Sequence, residues 1–308
     1  MEISVIITTY QRPKLVKRAI NSVVNQVCLP KEIIVIEDSS DSGIDQWIKK
    51  HYPKIIYIKN QQNLGLAGSR NVGIQLAKYD WIAFLDDDDE WMPNRLEEQV
   101  HCYQNLKSDD RENLACIQAG VKRINADDKL EGIQLPVNDG NIRDSIIKNG
   151  ASTPSSAFLF YKKALKKIDG FDENLVSGID HDIWMTLAVA GYKTKALKKP
   201  LVKIYLDKND TMMTNTPKRI KGIQQYIDKW TPVYIDWFGE IEGKKYAKKY
   251  FSNVISTLAG QKLANHQFKD FFQAFEAIFN VVGLNIFLLF RSWKKIIKIY
   301  LVEKKILI

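Results

Sequence analysis

Ile3-Ser4-Val5-Ile6-Ile7-Thr8, Glu32-Ile33-Ile34-Val35-Ile36, Ile55-Ile56-Tyr57-Ile58 and Trp81-Ile82-Ala83-Phe84-Leu85 are four short runs rich in β-branched and apolar residues. Between them lie helix-length amphipathic segments at Pro13–Asn25, Ile44–His51 and Leu66–Ala77. Strands alternating with helices predict an α/β fold with a parallel sheet covered on both faces. In open sheets of this kind ligands bind beyond the carboxyl ends of the strands. Polar residues gather there: Thr8-Thr9-Tyr10 after the first strand, Glu37-Asp38-Ser39-Ser40 after the second and Asp86 to Glu90 after the fourth. Three strand ends that point polar groups at one edge describe a site.

Further along, a helix is expected at Pro93–Leu106, a strand around Leu114–Ile124, a polar connection at Asn125–Asp128, a strand at Ser156–Phe160 and a helix at Lys162–Ile168. After the turn Gly170-Phe171-Asp172-Glu173 a second helix begins near Asp180, with Ile183, Trp184, Leu187 and Ala188 at the spacing of a core face. Short strands near Thr194–Leu197 and Leu201–Tyr205 close this part, so residues 1–205 read as one α/β domain. From Thr216 the pattern is helical, and residues 206–308 are expected to form a helical appendage.

Of the 308 residues, 45% are hydrophobic and 26% charged, which excludes a disordered chain and a small disulfide-stapled scaffold. The net charge of +9 is unevenly placed: residues 191–308 hold 22 Lys and Arg against 9 Asp and Glu, leaving residues 1–190 at −4. A basic segment fits nucleic acid, anionic lipid or simple solubility. Cys28, Cys102 and Cys116 form no CxxC pair and argue against a zinc ribbon or a disulfide framework. The N-terminus lacks the basic and long apolar regions of a signal peptide. The expected location is therefore the cytoplasm. The most apolar stretch, from Ile278 to Phe290, has 13 residues, short of the roughly 20 a helix needs to cross a bilayer.

In Phe84-Leu85-Asp86-Asp87-Asp88-Asp89-Glu90 an apolar strand empties into five acidic side chains. Like charges this close repel unless something compensates them. A divalent cation with oxygen ligands, Mg²⁺ or Mn²⁺, would do so, and Asp-x-Asp spacing lets Asp86 and Asp88 point to the same side. A solvated acidic loop, or Asp residues satisfying free N–H groups of a helix start, is the alternative. An EF-hand is excluded because its sixth position, which needs glycine, is Trp91. Gly65-Leu66-Ala67-Gly68 lacks the spacing of a dinucleotide loop, and no Walker motif is present. A second cluster, Ser177-Gly178-Ile179-Asp180-His181-Asp182, enters a helix. Asp180 can project from this helix mouth into a cleft, or the acids can serve the helix N-terminus. His181 has no second His or Cys at ligand spacing.

The order of several motifs resembles family 2 glycosyltransferases of the GT-A fold. The residues that carry it are Val5 to Pro13, Glu32 to Ser40, Gly65-Leu66-Ala67-Gly68-Ser69-Arg70-Asn71, Ile82 to Asp89, Pro154-Ser155-Ser156, Gly170 to Glu173 and Asp180 to Trp184, which together span about residues 1–205. The resemblance implies a mostly parallel central sheet with helices on both faces, a nucleotide-sugar half at 1–110 and an acceptor half at 111–205. It implies that Tyr10 stacks on the nucleotide base, that Asp38 bonds its imide edge and that Thr8 and Arg70 line the same pocket. Asp88 would hold Mn²⁺ or Mg²⁺ at the donor diphosphate, with Asp86 or Asp87 near the ribose. Asp180 matches the base that takes the acceptor proton, with Asp182 as fallback because Ile179 stands where the family often has Glu. Acceptor contacts would fall between Asn125 and Thr153.

The implied reaction is inverting transfer of a hexose or N-acetylhexosamine from a UDP-sugar to a hydroxyl of a glycan precursor such as a lipid-linked oligosaccharide. Residues 291–308 hold six Lys and Arg against one Glu, mixed with Trp293 and Tyr300, after a Phe-rich stretch from Phe268 to Phe290. Such a pattern suits peripheral contact with an anionic membrane at its cytoplasmic face. The alternative is an ordinary helix packing its Phe stripe. A sugar-nucleotide pyrophosphorylase would carry a glycine-rich signature after the first strand, and Tyr10-Gln11-Arg12-Pro13 does not supply it. A nucleic-acid-binding protein is disfavoured because the acidic strand ends would repel phosphates.

Overall fold

The computed structural model describes residues 1–150, 154–206 and 215–304. The strands are β1 (Ile3–Thr9), β2 (Glu32–Glu37), β3 (Ile56–Lys59), β4 (Trp81–Asp86), β5 (Asp89–Trp91), β6 (Leu114–Ile124), β7 (Leu130–Gln134), β8 (Gly140–Asn141), β9 (Phe158–Tyr161) and β10 (Lys193–Tyr205). The helices are α1 (Pro13–Val24), α2 (Ile44–His51), α3 (Gly65–Leu76), α4 (Arg95–Gln104), α5 (Ser108–Arg111), α6 (Ile142–Asn149), α7 (Lys162–Lys167), α8 (Ile179–Val189), α9 (Thr216–Phe238), α10 (Glu240–Ala264), α11 (Phe268–Val282) and α12 (Ile286–Glu303). The sheet runs β3-β2-β1-β4-β9-β6-β10-β5, with β7 added to β6 and β8 to β10. β1, β2, β3 and β4 are parallel, as are β6 and β10. β9 joins the two groups antiparallel to both.

Every residue of β1 is buried, as expected of a central strand covered on both faces. Ile3, Val5 and Ile7 pack with Val16, Ile20 and Val23 of α1 and with Ile44 and Ile48 of α2. On the opposite face Ile6 meets α3 at Gly73, where a Cβ would come within 2.5 Å of the Ile6 Cγ2. Glycine there lets α3 lie close on β1. A connection between parallel strands returns along the sheet, so the start of α3 is carried to the strands' carboxyl ends.

The expected fold class holds, and several elements differ in detail. The second half of the acidic run is not loop: Asp89-Glu90-Trp91 forms β5 against β10, because Trp91 is buried and Glu90 pairs with Lys203 of β10. The two short strands expected at 194–205 are one strand, irregular in register between Ala196 and Val202 around Pro200. Proline has no N–H to give the ladder and forces the break. The stretch from Asn125 carries β7, β8 and α6, none of which the alternation of apolar residues announces. Residues 151–153 of that stretch, 207–214 of the expected appendage and 305–308 of its basic tail lie outside the described residues.

The chain divides into two compact units, Met1–Asn174 with Ile179–Asp207, and Leu175–Gly178 with Lys208–Ile308. In the second, α10 packs against α9, α11 and α12. Among the described residues no helix is long and apolar enough to cross a membrane.

Candidate active site

Strand register sets the frame of the site. Thr8 is level with Asp86 across β1 and β4, and Thr9 with Glu37 across β1 and β2. The three strand ends therefore open on one edge. Beyond β1 the chain takes a left-handed residue, Gln11 at φ 55°, and beyond β2 another, Ser39 at φ 55°. The two loops are joined by the Gln11 N–H donating to Ser40 Oγ at 3.2 Å. Tyr10 is left standing at this edge with 45% of its surface exposed.

Glu37 anchors the second loop. Its carboxylate accepts from the Ser40 hydroxyl, from the Ser42 N–H at 3.1 Å and from the Tyr57 hydroxyl. Burial pushes this carboxyl up, but the hydrogen bonds outweigh burial and hold it below the ordinary value. Next to it Asp38 Oδ1 accepts from the Asn60 side chain at 3.0 Å and the Leu64 N–H at 2.8 Å, while Oδ2 accepts from the Gly65 N–H at 2.9 Å. A carboxylate offers about four acceptor positions, so one on Oδ2 remains for a ligand donor.

The acids that follow β4 are not equivalent. Asp87 is buried and accepts from the Thr9 hydroxyl at 2.7 Å; burial and the neighbouring Asp88 push its pKa up to about 6. Asp89 is buried too, and burial followed by the charges of Asp88 and Asp86 raises it well above the usual range. Asp88 keeps a third of its side chain exposed. Arg12 Nη1 reaches both Asp87 at 3.3 Å and Asp88 at 3.1 Å, and Arg18 donates to the Asp88 carbonyl at 2.6 Å. Arg18 is itself stacked on the Tyr205 ring at 3.7 Å.

Arg70, fully buried on α3, joins the two acidic clusters. Its Nη2 donates to Asp86 Oδ1 at 2.6 Å and its Nη1 to Asp180 Oδ1 at 2.8 Å and Ser155 Oγ at 3.2 Å. The Ser155 hydroxyl also donates to Asp180 Oδ1. Burial pushes Asp180 up, and Arg70 and Ser155 outweigh it, so this carboxyl lies below its usual range. Asp86 moves the other way: burial raises it, Arg70 opposes, and Asp180 and Asp88 add to the rise. All the bonds to Asp180 fall on Oδ1, which leaves Oδ2 open among the described residues. Asp182 is only 2% exposed and lies two residues on, off the face of α8 that meets Arg70. Asn71, the next residue on α3, clamps the turn before α8. It accepts from the Phe171 N–H at 2.8 Å and donates to the Phe171 carbonyl at 2.9 Å and to Glu173 at 2.8 Å. Gly170, at φ +72°, presses so closely on Asn71 that a Cβ there would meet Asn71 Oδ1 at 2.4 Å.

The structure thus brings Thr8, Asp86, Asp87, Asp88, Arg70 and Asp180 around one strand edge, with Tyr10 and Asp38 on the two loops beside it. Reading the sequence did not assign roles to Arg12, Arg18, Asn60, Asn71 or Ser155. Arg12, Asn71 and Ser155 stood inside the quoted motifs, and that adjacency was the only available signal. Among the described residues no group of three or more His, Cys, Asp and Glu side chains forms a metal cluster. The donor chemistry nevertheless fits a hard divalent cation: Asp86 and Asp88 offer only oxygen, and burial, with the charges of Asp180 and Asp88 added, raises Asp86 despite Arg70.

The model of Glycosyl transferase family 2 matches residues 4–168, more than half of the chain. The chain belongs to this family. Among its relatives, an uncharacterized glycosyltransferase of Methanocaldococcus jannaschii is 28% identical over 70% of this transferase and 75% of its own length. The putative colanic acid biosynthesis glycosyl transferase WcaA of Escherichia coli is 27% identical over 74% and 80%. The crystal structure of S. aureus TarS 1–349 in complex with UDP-GlcNAc shares the fold, with a TM-score of 0.66 at 18% identity over 99% of this chain and 91% of that one. Asp180 lies beyond the residues matched by the family model.

Two outcomes follow from the buried charges of this transferase. Arg70→Met leaves Asp86 and Asp180, 24% and 32% exposed, facing each other without their shared cation, and urea unfolding at pH 7 should show a loss of about 2–4 kcal/mol. The loss should shrink below pH 5 as the freed carboxyls take up protons; a loss under about 1 kcal/mol at pH 7 contradicts the bridge. For Glu37, a folded pKa below the unfolded one means its stabilisation is present above the unfolded value of 4.5 and is lost as pH falls through the folded value. Glu37→Gln should therefore cost about 1–2 kcal/mol at pH 7 and progressively less toward pH 3. A deficit independent of pH, measured by urea midpoints, would show that the charge of Glu37 is not what holds the loop.

Proposed function

We propose that this family 2 transferase is an inverting enzyme that moves a hexose or N-acetylhexosamine from a UDP-sugar to a hydroxyl of a glycan precursor. The observation that carries the reading is the shared Arg70, which holds one carboxylate at the donor-side strand end and another at the mouth of α8. That arrangement places, within one edge, strand-end carboxylates through which a divalent cation would hold a nucleotide diphosphate, and a separate carboxylate for a proton.

The free position of Asp38 Oδ2 suits the imide N–H of a uracil ring, and the exposed Tyr10 offers a face on which that ring can stack. Thr8 and the Asp86 to Asp88 strand end lie beside it for the ribose and diphosphate. Asp88, the most accessible of the buried acids' neighbours, is the residue we assign to Mn²⁺ or Mg²⁺, which when bound would neutralise charge on the departing diphosphate. Asp180 Oδ2 takes the acceptor proton as the acceptor oxygen attacks the anomeric carbon and becomes acidic. Arg70 and Ser155, which hold Asp180 below its usual range against burial, keep it ionised. Asp182 is the fallback, and its burial speaks for Asp180.

Support for the donor class comes from relatives. TarS is crystallised with UDP-GlcNAc, WcaA is described as acting in colanic acid biosynthesis, and the chondroitin synthase of Pasteurella multocida is 26% identical over 71% of this chain, which spans 22% of that protein. Residues 1–110 are the nucleotide-sugar half in this reading, 111–205 the acceptor half, and 206–308 a region for peripheral contact with an anionic membrane. A glycan acceptor carried on lipid at the cytoplasmic face would unite these parts.

Asp180→Asn should lower transfer by at least about a thousandfold while UDP binding with Mn²⁺, followed by calorimetry, stays within a few-fold of the parent. Equal loss of both in a folded variant would take Asp180 out of the base role. Asp88→Ala should abolish the Mn²⁺ dependence of UDP binding, and a parent enzyme fully active in excess chelator would end the metal assignment.

A further inference from the structure

Helices α11 and α12 meet at a corner whose apolar side chains face solvent. Gly283, at φ +62°, ends α11, and the Asn285 side chain caps α12 by accepting from the Leu288 N–H at 3.1 Å. Around this turn Leu284 is 84% exposed, Ile286 78%, Phe287 89% and Phe290 68%. The hairpin does not need these residues for its own packing. Ile278 and Val282 of α11 and Ser292 and Ile296 of α12 are the buried ones, and both helices pack on α10 through such faces. Phe275 and Trp293 close the joint edge to face at 6.1 Å. The Phe-rich stretch is therefore divided: Phe271 is buried in the helical unit, whereas Phe287 and Phe290 are left outside it. Large apolar side chains concentrated at one exposed corner mark an interaction surface.

Charge indicates the occupant. No Asp or Glu occurs between Glu276 and Glu303, while Arg291, Lys294, Lys295 and Lys298 follow the corner directly. Arg291, Lys294 and Lys298 are exposed. Lys295 donates to the Asn253 side chain at 2.6 Å, and burial, then repulsion from Arg291, pushes its ammonium down. A second copy docked corner to corner would set these cations against themselves, which makes self-association unfavourable. An anionic bilayer meets both parts of the surface, taking apolar tips at the headgroup boundary and cations at its phosphates.

We propose that the α11–α12 corner is a membrane-insertion element, with Leu284, Ile286, Phe287 and Phe290 entering an anionic lipid interface and Arg291, Lys294 and Lys298 lying against lipid phosphates. This deepens the membrane contact inferred above and rests on it. It assigns the contact to the corner, not to the whole length of α12, because Ser292 and Ile296 face inward.

The test is sedimentation of the full chain with phosphatidylcholine vesicles made with and without phosphatidylglycerol. The chain should pellet with the anionic vesicles and be released by high salt. Ile286→Ser together with Phe287→Ser should weaken partitioning at least about tenfold, and Lys294→Glu with Lys298→Glu should weaken it for anionic vesicles. Both variants should bind UDP as the parent does, since none of these residues belongs to the active site. A parent chain that stays in the supernatant, equal pelleting of parent and serine variant, or a concentration-dependent dimer dissolved by the serine changes would each overturn the proposal. Loss of UDP binding by the parent itself, with vesicle binding intact, would instead remove the UDP-sugar reading and leave the docking element standing.

Discussion

A guanidinium buried between two carboxylates governs this site. Arg70 is wholly out of solvent, and burying a charge without partners costs many kcal/mol. It is tolerated because Asp86 and Asp180 share it, and they are tolerated because it lies between them. The three groups therefore stand or fall together: β4 must end where it does, α8 must begin where it does, and α3 must present Arg70 at the level between them. Two pieces of chain more than a hundred residues apart in sequence from Arg70 to Asp180 are fixed by one side chain.

The position of that side chain is settled by packing. Gly73 lies one turn after Arg70 on the same face of α3, and it is the absence of a side chain there that lets the helix settle on Ile6. Asn71, beside Arg70, grips both backbone groups of Phe171 and the Glu173 carboxylate. So three consecutive functions are written into Arg70-Asn71-Val72-Gly73: charge pairing, clamping of the turn before α8, and close approach to the sheet. The helix is amphipathic only weakly in the usual sense because its inner face is partly polar, with Ser69 and Arg70 buried in place of aliphatic residues.

Much of the fold was legible because β1, β4 and most of β2 are buried on both faces and leave unbroken apolar runs, and the helices between the strands leave a 3.6-residue pattern. The strand ends were legible for the same reason: a run that stops at Thr8, Ile36 or Leu85 stops within one residue of where the strand does. β5, β7 and β8 were not, since they are two to five residues long and sit at edges where no apolar alternation is required. The site was legible as clusters of acids but not as a network. Nothing in the spacing of Arg12 or Ser155 says that one reaches Asp88 and the other Asp180, because those contacts depend on loops brought together by the sheet.

The unequal fate of the acids explains why so many stand in a row. Asp89 and Asp87 are buried and raised, Glu90 is paired with Lys203 and Tyr205, and Asp86 is held by Arg70; Asp88, backed by Arg12, is the most exposed of the five. Arg12, Arg18 and Arg70 supply three positive charges to a cluster that holds Asp86, Asp87, Asp88, Asp89 and Asp180. The arginines are too few to balance it. A strand end built this way keeps like charges in mutual repulsion, and burial with that repulsion raises Asp86, Asp87 and Asp89 toward their neutral forms. The same arginines that make the cluster foldable set how much repulsion is left, so that β4 and β5 can form beside it.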